Sequence, residues 1–534
     1  MFAPQSVPAC VRVKTALEAS FGIDLRSLFL LRLAIALMIW VDLGIRAQTM
    51  TAHYTDAGVL PRAVQRAVFL DPHPGRFSFH MMSGGLAWQA LLFALIAVAA
   101  LLLALGYRTR LSLLTVWLLT ISLHSRNDMI LTGGDQLLRM TLFWALWLPL
   151  GGLLSLDARA GRVPLPSRPQ VLSSASFAFV MQLCCVYWFS VAHKTDPQWR
   201  NDFTAVHYAL HIDSYATPFG AWLRQFPRVT RALTAQVFYL ELVGPFLVFG
   251  VGLLACLPRL SGWLRFQPVV RTLTVFTFMG LHAGLGLGLA LGTFSWFAMA
   301  IWVALLPSEF WDWLERQRAR SGGRFQVLGK LCAPRWARTA EATPPWTRRA
   351  RRLAELAAAC ALALVLGVNL RALPGSKLGP YLDGRAWGGA LDLNYVVHLL
   401  RLDQHWGLFA PKPRNVDGWF VLRGVQASGA EVDLLRPDAR LSWRAPALGS
   451  SEFPSFRWRK YYRDLRRENA QNTQQRPAYL SYWCRTWNAE HAGRARVDAV
   501  ELVFMKRRTL LEGGHTRAER VTLARGRCSE LSAL

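Results

Sequence analysis

The 534-residue chain is 53% hydrophobic, contains 22 Trp and carries a formal net charge of +28. Together with a positive mean hydropathy, this excludes an ordinary soluble globular protein and points to a chain solvated largely by lipid. The Lys and Arg residues sit in short segments between apolar stretches, as topology signals do, so the charge is not read as a nucleic-acid surface and no nucleic-acid partner is expected.

In chain order, apolar runs long enough to cross a bilayer centre near 28–46, 86–105, 111–124, 137–155, 172–193, 233–256, 269–290, 294–307 and 353–370. The first is followed by Arg46 without a small-residue cleavage site, so it is expected to remain as a membrane helix. Arg108 and Arg110, then Arg159, Arg162 and Arg168, then Arg259, Arg265 and Arg271 mark one side as cytoplasmic, and the dense basic stretch 316–352 falls on that side. About nine spans then leave the N-terminus inside and the C-terminal tail outside, with the chain in the cytoplasmic membrane.

The expected fold class is an all-α polytopic membrane helix bundle with a small C-terminal α+β extramembrane domain. Its parts are an N-terminal cytoplasmic segment (1–26), a transmembrane domain (27–312), a basic cytoplasmic linker (313–352), a last transmembrane helix (353–372) and the extracytoplasmic domain (373–534). In that tail, alternation over 419–425 and 431–435 around Ala427-Ser428-Gly429 predicts a hairpin, and 496–504 and 519–524 predict further strands. The basic, aromatic stretch 457–467 has helical character, read as a solvated face or a contact with anionic lipid headgroups.

The eight cysteines form no CxxC and no Cys/His pattern, so no metal is predicted. Cys484 and Cys528 both fall in the tail and are candidates for a disulfide if it lies in an oxidising compartment.

Ionisable groups inside or at the edge of a hydrocarbon layer are costly and therefore functional candidates. Lys194 ends the fifth run in YWFSVAHKTDPQW (187–199), where Tyr187, Ser190 and Lys194 share one helical face. A lysine so placed is either a partly desolvated general base or an ordinary snorkelling side chain. Glu241 and His282 lie inside the sixth and seventh runs, out of reach of water, and must face the bundle interior, paired with each other, a polar neighbour or a ligand. Asp42 has Arg46 four residues later, the spacing of an intrahelical ion pair. In LTGGDQLL (131–138), Gly133 and Gly134 permit a tight turn and Asp135 is placed to cap the next helix; alternatively that helix N-terminus faces an anionic or carbonyl-bearing ligand.

The segments DAGVLPR (56–62), RNDMILTGGDQLL (126–138), FSVAHKTDPQWRNDFTAVHYAL (189–210), the stretch 282–296 and QHWGLFAPKPRNVDGW (404–419) together resemble the HTTM family, the horizontally transferred transmembrane domain similar to the vitamin K-dependent γ-glutamyl carboxylase. The resemblance covers most of 20–312 and implies a reduced, vitamin K- or menaquinone-like quinone as cofactor and a peptide or protein substrate. Lys194, with His193, Asp196 and Trp199 around it, matches the family's lysine base, which deprotonates the quinol; His282 matches a histidine of the later helices. In the family, oxygenation of the quinol anion yields a strong base that removes a glutamate γ-proton, and the carbanion attacks carbon dioxide. Where the carboxylase has an Asn-His pair this chain has Asn127-Asp128, which leaves proton abstraction possible and puts carboxylation in doubt. The resulting expectation is a membrane enzyme with Lys194 as base, Asn127, Asp128, Gly134 and Asp135 as a polar wall, and Glu241 and His282 as interior partners. The alternative is a non-catalytic membrane factor for peptide maturation or export, as in the related sporulation-delaying toxin maturation proteins.

Overall fold

In lipid every backbone N–H and C=O must be bonded within its own segment, so long apolar runs fold as helices. The computed structural model describes residues 8–163, 168–320, 345–387, 392–436, 441–446, 449, 452–510 and 513–531. Its helices are α1 (Ala9–Phe21), α2 (Leu25–Ala47), α3 (Leu86–Leu105), α4 (Thr109–Arg126), α5 (Gly133–Ala145), α6 (Ser174–His193), α7 (Pro227–Leu247), α8 (Gln267–Gly288), α9 (Phe294–Trp302), α10 (Ser308–Arg320) and α11 (Pro345–Arg371), followed in the tail by α12 (Phe456–Leu465) and α13 (Arg476–Glu490). Much of the expected linker 313–352 lies outside the described residues.

Among the described residues, five helical segments are long and apolar enough to cross a membrane: Leu25–Ala47, Leu86–Leu105, Ser174–His193, Pro258–Gly288 and Arg349–Arg371. A sixth arises if α9 and α10, bent by 86° at their junction, count as one span. The nine runs of the sequence are thus not nine long apolar helices. The run at 137–155 shows why: α5 stops after 13 residues, about 20 Å of rise against a hydrocarbon core of about 30 Å. The loop beyond it survives burial because Arg32 of α2 donates to the carbonyls of Leu150 (2.8 Å), Leu153 (3.2 Å) and Leu154 (2.6 Å). Arg271, counted in the sequence as a cytoplasmic marker, is 1% exposed. It bonds the carbonyls of Leu305 (2.8 Å), Ala19 (3.2 Å) and Ser20 (3.2 Å). Such arginines replace the water that irregular backbone needs. The outward faces of the long helices expose the apolar side chains Leu37, Leu91, Leu95, Val98 and Leu273.

The tail forms an antiparallel sheet of β1 (Val416–Gln426), β2 (Glu431–Asp433), β3 (Val497–Arg508) and β4 (Glu519–Arg527), in the order β2-β1-β3-β4. The hairpin expected around Ala427-Ser428-Gly429 is present, with Val425 opposite Glu431, and Gly429 supplies the positive φ (82°) of its turn. Cys484 on α13 and Cys528 are joined by a disulfide with Cα atoms 5.6 Å apart.

The helix expected over 457–467 forms as α12, but it is neither a solvated face nor a purely lipid-facing one. Arg457 is fully buried and reaches into the bundle, where it binds Asp42 of α2 and Asp135 of α5 and donates to Ile130 O at 2.9 Å. Arg46 completes the cluster, bonding Asp42 at 2.7 Å and also Asp135 and the Tyr54 hydroxyl. The predicted Asp42–Arg46 ion pair is therefore one edge of a larger network. Two guanidinium groups face two carboxylates, so the buried charge sums to zero.

Removing one partner from such a cluster leaves a buried charge uncompensated. Arg457→Met is expected to destabilise the detergent-solubilised protein by about 3–5 kcal/mol. Thermal unfolding monitored by size-exclusion retention checks this, and an unchanged midpoint would show that the tail is not tied to the bundle through Asp42 and Asp135.

Candidate functional site

The small and apolar residues of α6 allow it to pack against both α7 and α11. A polar stripe of Tyr187, Ser190 and Lys194 runs down one inner face, apart from Gln182, which bonds Trp144 and Gln404. Tyr187 hydroxyl pairs with His282 Nε2 of α8 at 2.7 Å and accepts from Trp302 Nε1 at 2.7 Å. One turn on, Ser190 Oγ is buried without a protein partner, as is His282 Nδ1. Lys194 terminates the helix with non-helical backbone (φ −79°, ψ 72°), which turns its side chain inward.

Lys194 is 1% exposed. Its ammonium binds the Glu241 carboxylate of α7 and lies 4.2 Å from the centre of the Trp199 ring, a cation–π contact strengthened by exclusion of water. Lys194 therefore does not snorkel to bulk solvent. Arg200 Nε donates to Lys194 O at 2.8 Å and fixes the turn after α6. Glu241 and His282, two interior groups of the sequence reading, do not pair with each other: Glu241 takes Lys194 and His282 takes Tyr187.

The Lys194 turn is covered by the tail segment 401–411. His405 packs on His193 with ring centres 4.7 Å apart, Trp199 Nε1 donates to Phe409 O at 3.0 Å, and Asp196 N donates to Pro411 O at 3.3 Å. The Asp196 side chain accepts from Gln198 N at 3.1 Å, capping the next short helix. His405 and Phe409 belong to the QHWGLFAPKP segment quoted above, yet nothing in their spacing signals that they lie over Lys194.

The residues expected to form a polar wall are engaged elsewhere, and none of them bonds Lys194. Asn127 Nδ2 donates to His53 O at 3.0 Å, and its Oδ1 accepts from Met129 N at 3.1 Å. Asp128 lies among Arg76 (3.4 Å) and Arg401 (3.5 Å). Asp135 caps α5 through Thr132 N (2.6 Å) while serving the buried ion cluster. Gly134 is a packing residue: a Cβ there would stand 2.7 Å from Thr293 Oγ1 and 3.0 Å from Phe294 N, so the N-terminus of α5 meets α9 rather than a ligand.

Among the described residues, two His/Asp groups are close enough to share a cation, Asp42-His124-Asp135 and Asp213-Asp417-His515. In the first both carboxylates are taken by Arg46 and Arg457; in the second Arg507 reaches both aspartates. A hollow of about 660 Å³ lies away from Lys194, between the α2 end, the α3 start and the tail, against Met50, Leu86, Phe453, Trp458 and Trp483.

No family model matches the sequence, and no curated protein or solved structure matches it.

The cover is anchored by Asp403, which lies near Arg401 (3.1 Å), Arg139 (3.4 Å) and Arg76 (3.5 Å). Burial alone would raise its carboxyl, but these three guanidinium groups outweigh that and hold it well below the usual range. A carboxyl depressed on folding contributes stability that is present above its unfolded value of about 3.9 and lost as pH falls through the folded value. Asp403→Asn is therefore expected to lower the melting temperature near neutrality, with the gap to wild type narrowing as pH drops below about 4. A gap independent of pH in melting curves would contradict this anchoring.

Proposed function

We propose that the chain is an integral membrane protein of the HTTM kind, spanning the cytoplasmic membrane with the tail outside, whose Lys194–Glu241 pair is a proton-transfer centre. The observation that carries this reading is the burial of an amine and a carboxylate against each other beside an indole, at the end of an apolar helix. A pair kept dry can hold its shared proton on either side, as an ion pair or as neutral amine and acid, and the second form removes two charges from a low-dielectric site. With the proton on Glu241, Lys194 Nζ offers a free lone pair that takes the proton of an acidic hydroxyl, leaving an ammonium on Lys194 and the hydroxyl's oxyanion beside it. The Tyr187–His282–Trp302 chain holds the neighbouring turn in register, so the polar stripe keeps its direction.

The residues fit a hydroxyl-bearing ring in chemistry: Ser190 Oγ and His282 Nδ1 are buried polar atoms in want of partners, and Trp199 offers a flat face. A reduced quinone would supply the acidic hydroxyl and the reducing power. Access requires the 401–411 cover to lift, since Lys194 is enclosed in the closed arrangement. With Asn127 and Asp128 committed to other bonds, proton abstraction is favoured over glutamate carboxylation.

The seal over Lys194 favours a second reading, a non-catalytic factor for maturation or export of a peptide, in which the Lys194–Glu241 pair only holds α6 to α7. In a host lacking the gene, Lys194→Ala is expected to lose function by a factor of about 10²–10⁴, the worth of a positioned base, at normal membrane yield. Full complementation by Lys194→Ala, with a peptide co-purifying, would sink the enzyme reading in favour of the second. For topology, a reporter fused after Leu534 is expected to be active only outside the cytoplasm; cytoplasmic activity would reverse the orientation.

A further inference from the structure

Outside the Lys194 site, the described residues hold a concentration of positive charge that nearby acids answer only in part. Arg459, Arg463 and Arg466 recur at helical spacing along α12 and its end, and Arg414, just before β1, faces the same small hollow of about 30 Å³. Tyr215, Phe504 and one carboxylate, Asp417, are among its other walls. The Arg459 guanidinium lies 4.5 Å from the Tyr215 ring centre, Arg463 Nη1 donates to the Tyr215 hydroxyl at 3.1 Å, and Arg466 lies 4.8 Å from the Phe504 ring centre.

The nearby acids are already committed. Asp417 pairs with Arg507 at 3.1 Å, Asp213 with Arg224 at 2.8 Å, and Asp464 with Lys460 and, more loosely, with Arg463 at 3.4 Å. Among the described residues, Arg414, Arg459 and Arg466 have no carboxylate within ion-pair distance. Arg459 instead donates to Ser214 O at 2.9 Å and to Ala290 O. Burial lowers Arg414 to about 10, reinforced by the charges of Arg463 and Arg466. With only Asp464 and Asp417 close by, and both shared with other bases, the four guanidinium groups repel one another.

The contrast with the Asp42–Arg46–Asp135–Arg457 cluster is instructive, since there the chain neutralises its buried arginines completely. Here it does not. A single carboxylate has two oxygens and is satisfied by one or two arginines, whereas a phosphate offers more acceptor oxygens and a higher charge.

Arg459 is also a wall of an adjoining hollow of about 280 Å³, otherwise formed by Gly286, Leu289, Leu291, Trp296 and Phe456 among others. The hollow sits where α8 ends and α9 begins, and Trp296 (52%) and Leu287 (56%) project from that end as exposed apolar side chains. The two hollows thus share Arg459 and Phe453 at the junction of tail and bundle.

We infer that Arg414, Arg459, Arg463 and Arg466 form a binding site for the phosphate of a membrane lipid, whose apolar chain leaves through the Gly286–Trp296 hollow. The site rests on the membrane placement proposed above but not on proton transfer at Lys194. Its failure and that of the Lys194 reading are therefore separable.

The test uses the full-length protein in mild detergent, with phosphatidic acid, diacylglycerol of the same chains and inorganic phosphate as separate probes. Native mass spectrometry and thermal shift are expected to show phosphatidic acid retained and diacylglycerol not. Arg414→Gln with Arg463→Gln should weaken phosphatidic acid by about tenfold or more, while exposed Arg494→Gln leaves it unchanged. Since Arg463 also bonds Tyr215, Arg414→Gln alone is the folding control: relief of repulsion should leave the unliganded melting temperature equal or higher, with binding still weakened. Inorganic phosphate that competes with the lipid and is lost in the same variants would support the phosphate site. Equal retention of diacylglycerol and phosphatidic acid, or unchanged affinity in a folded Arg414→Gln protein, would overturn it.

Discussion

Burying a guanidinium or a carboxylate in a bundle of apolar helices costs several kcal/mol unless an opposite charge meets it with good geometry. In this chain that requirement is met by four residues, Asp42, Arg46, Asp135 and Arg457, drawn from α2, α5 and α12. Asp135 also caps α5, so the start of that helix, its tight packing through Gly134 on α9 and the seat of the tail are settled by the same carboxylate. Once Arg457 is fixed, the rest of α12 has no freedom to turn, and Arg459, Arg463 and Arg466 are held against Tyr215 and Arg414.

The molecule shows different outcomes for charge taken out of water. In the four-residue cluster each guanidinium finds carboxylates, and the arrangement is rigid. At Lys194 a single amine meets a single acid beside an indole. Around Tyr215 the arginines outnumber the available acids. Arg32 and Arg271 take a further course, spending their donors on backbone carbonyls where the chain leaves helical geometry.

Much of this architecture was legible in the sequence where the signal is local. The hairpin about Gly429, the strands near 496–504 and 519–524 and the helix over 457–467 follow from periodicity and turn residues, and they form. The intrahelical Asp42–Arg46 pair follows from four-residue spacing. What spacing cannot report is a partner hundreds of residues away: Arg457 looked like part of a polar face because its carboxylates lie on α2 and α5. Likewise the hydropathy of 137–155 suggested one continuous helix, because a sliding apolar average does not register that Arg32 stabilises a non-helical loop. For the site, the interior position of Glu241 and His282 was readable from the cost of burying charge, whereas for Lys194 the sequence left a desolvated base and a snorkelling side chain both open. Which acid or hydroxyl each would take was not readable, nor was the cover laid over Lys194 by 401–411.

The separation of 415 residues between Arg457 and Asp42 bears on how the protein is made. At about 5–20 residues per second, Asp42 emerges from the ribosome some tens of seconds before the arginine that completes its cluster. During that interval the bundle holds Arg46 against two acids, a net negative charge in a setting that tolerates none. A chain stopped before its tail is therefore not a finished helical domain lacking an appendage. It carries a buried carboxylate whose counter-charge has not yet been made.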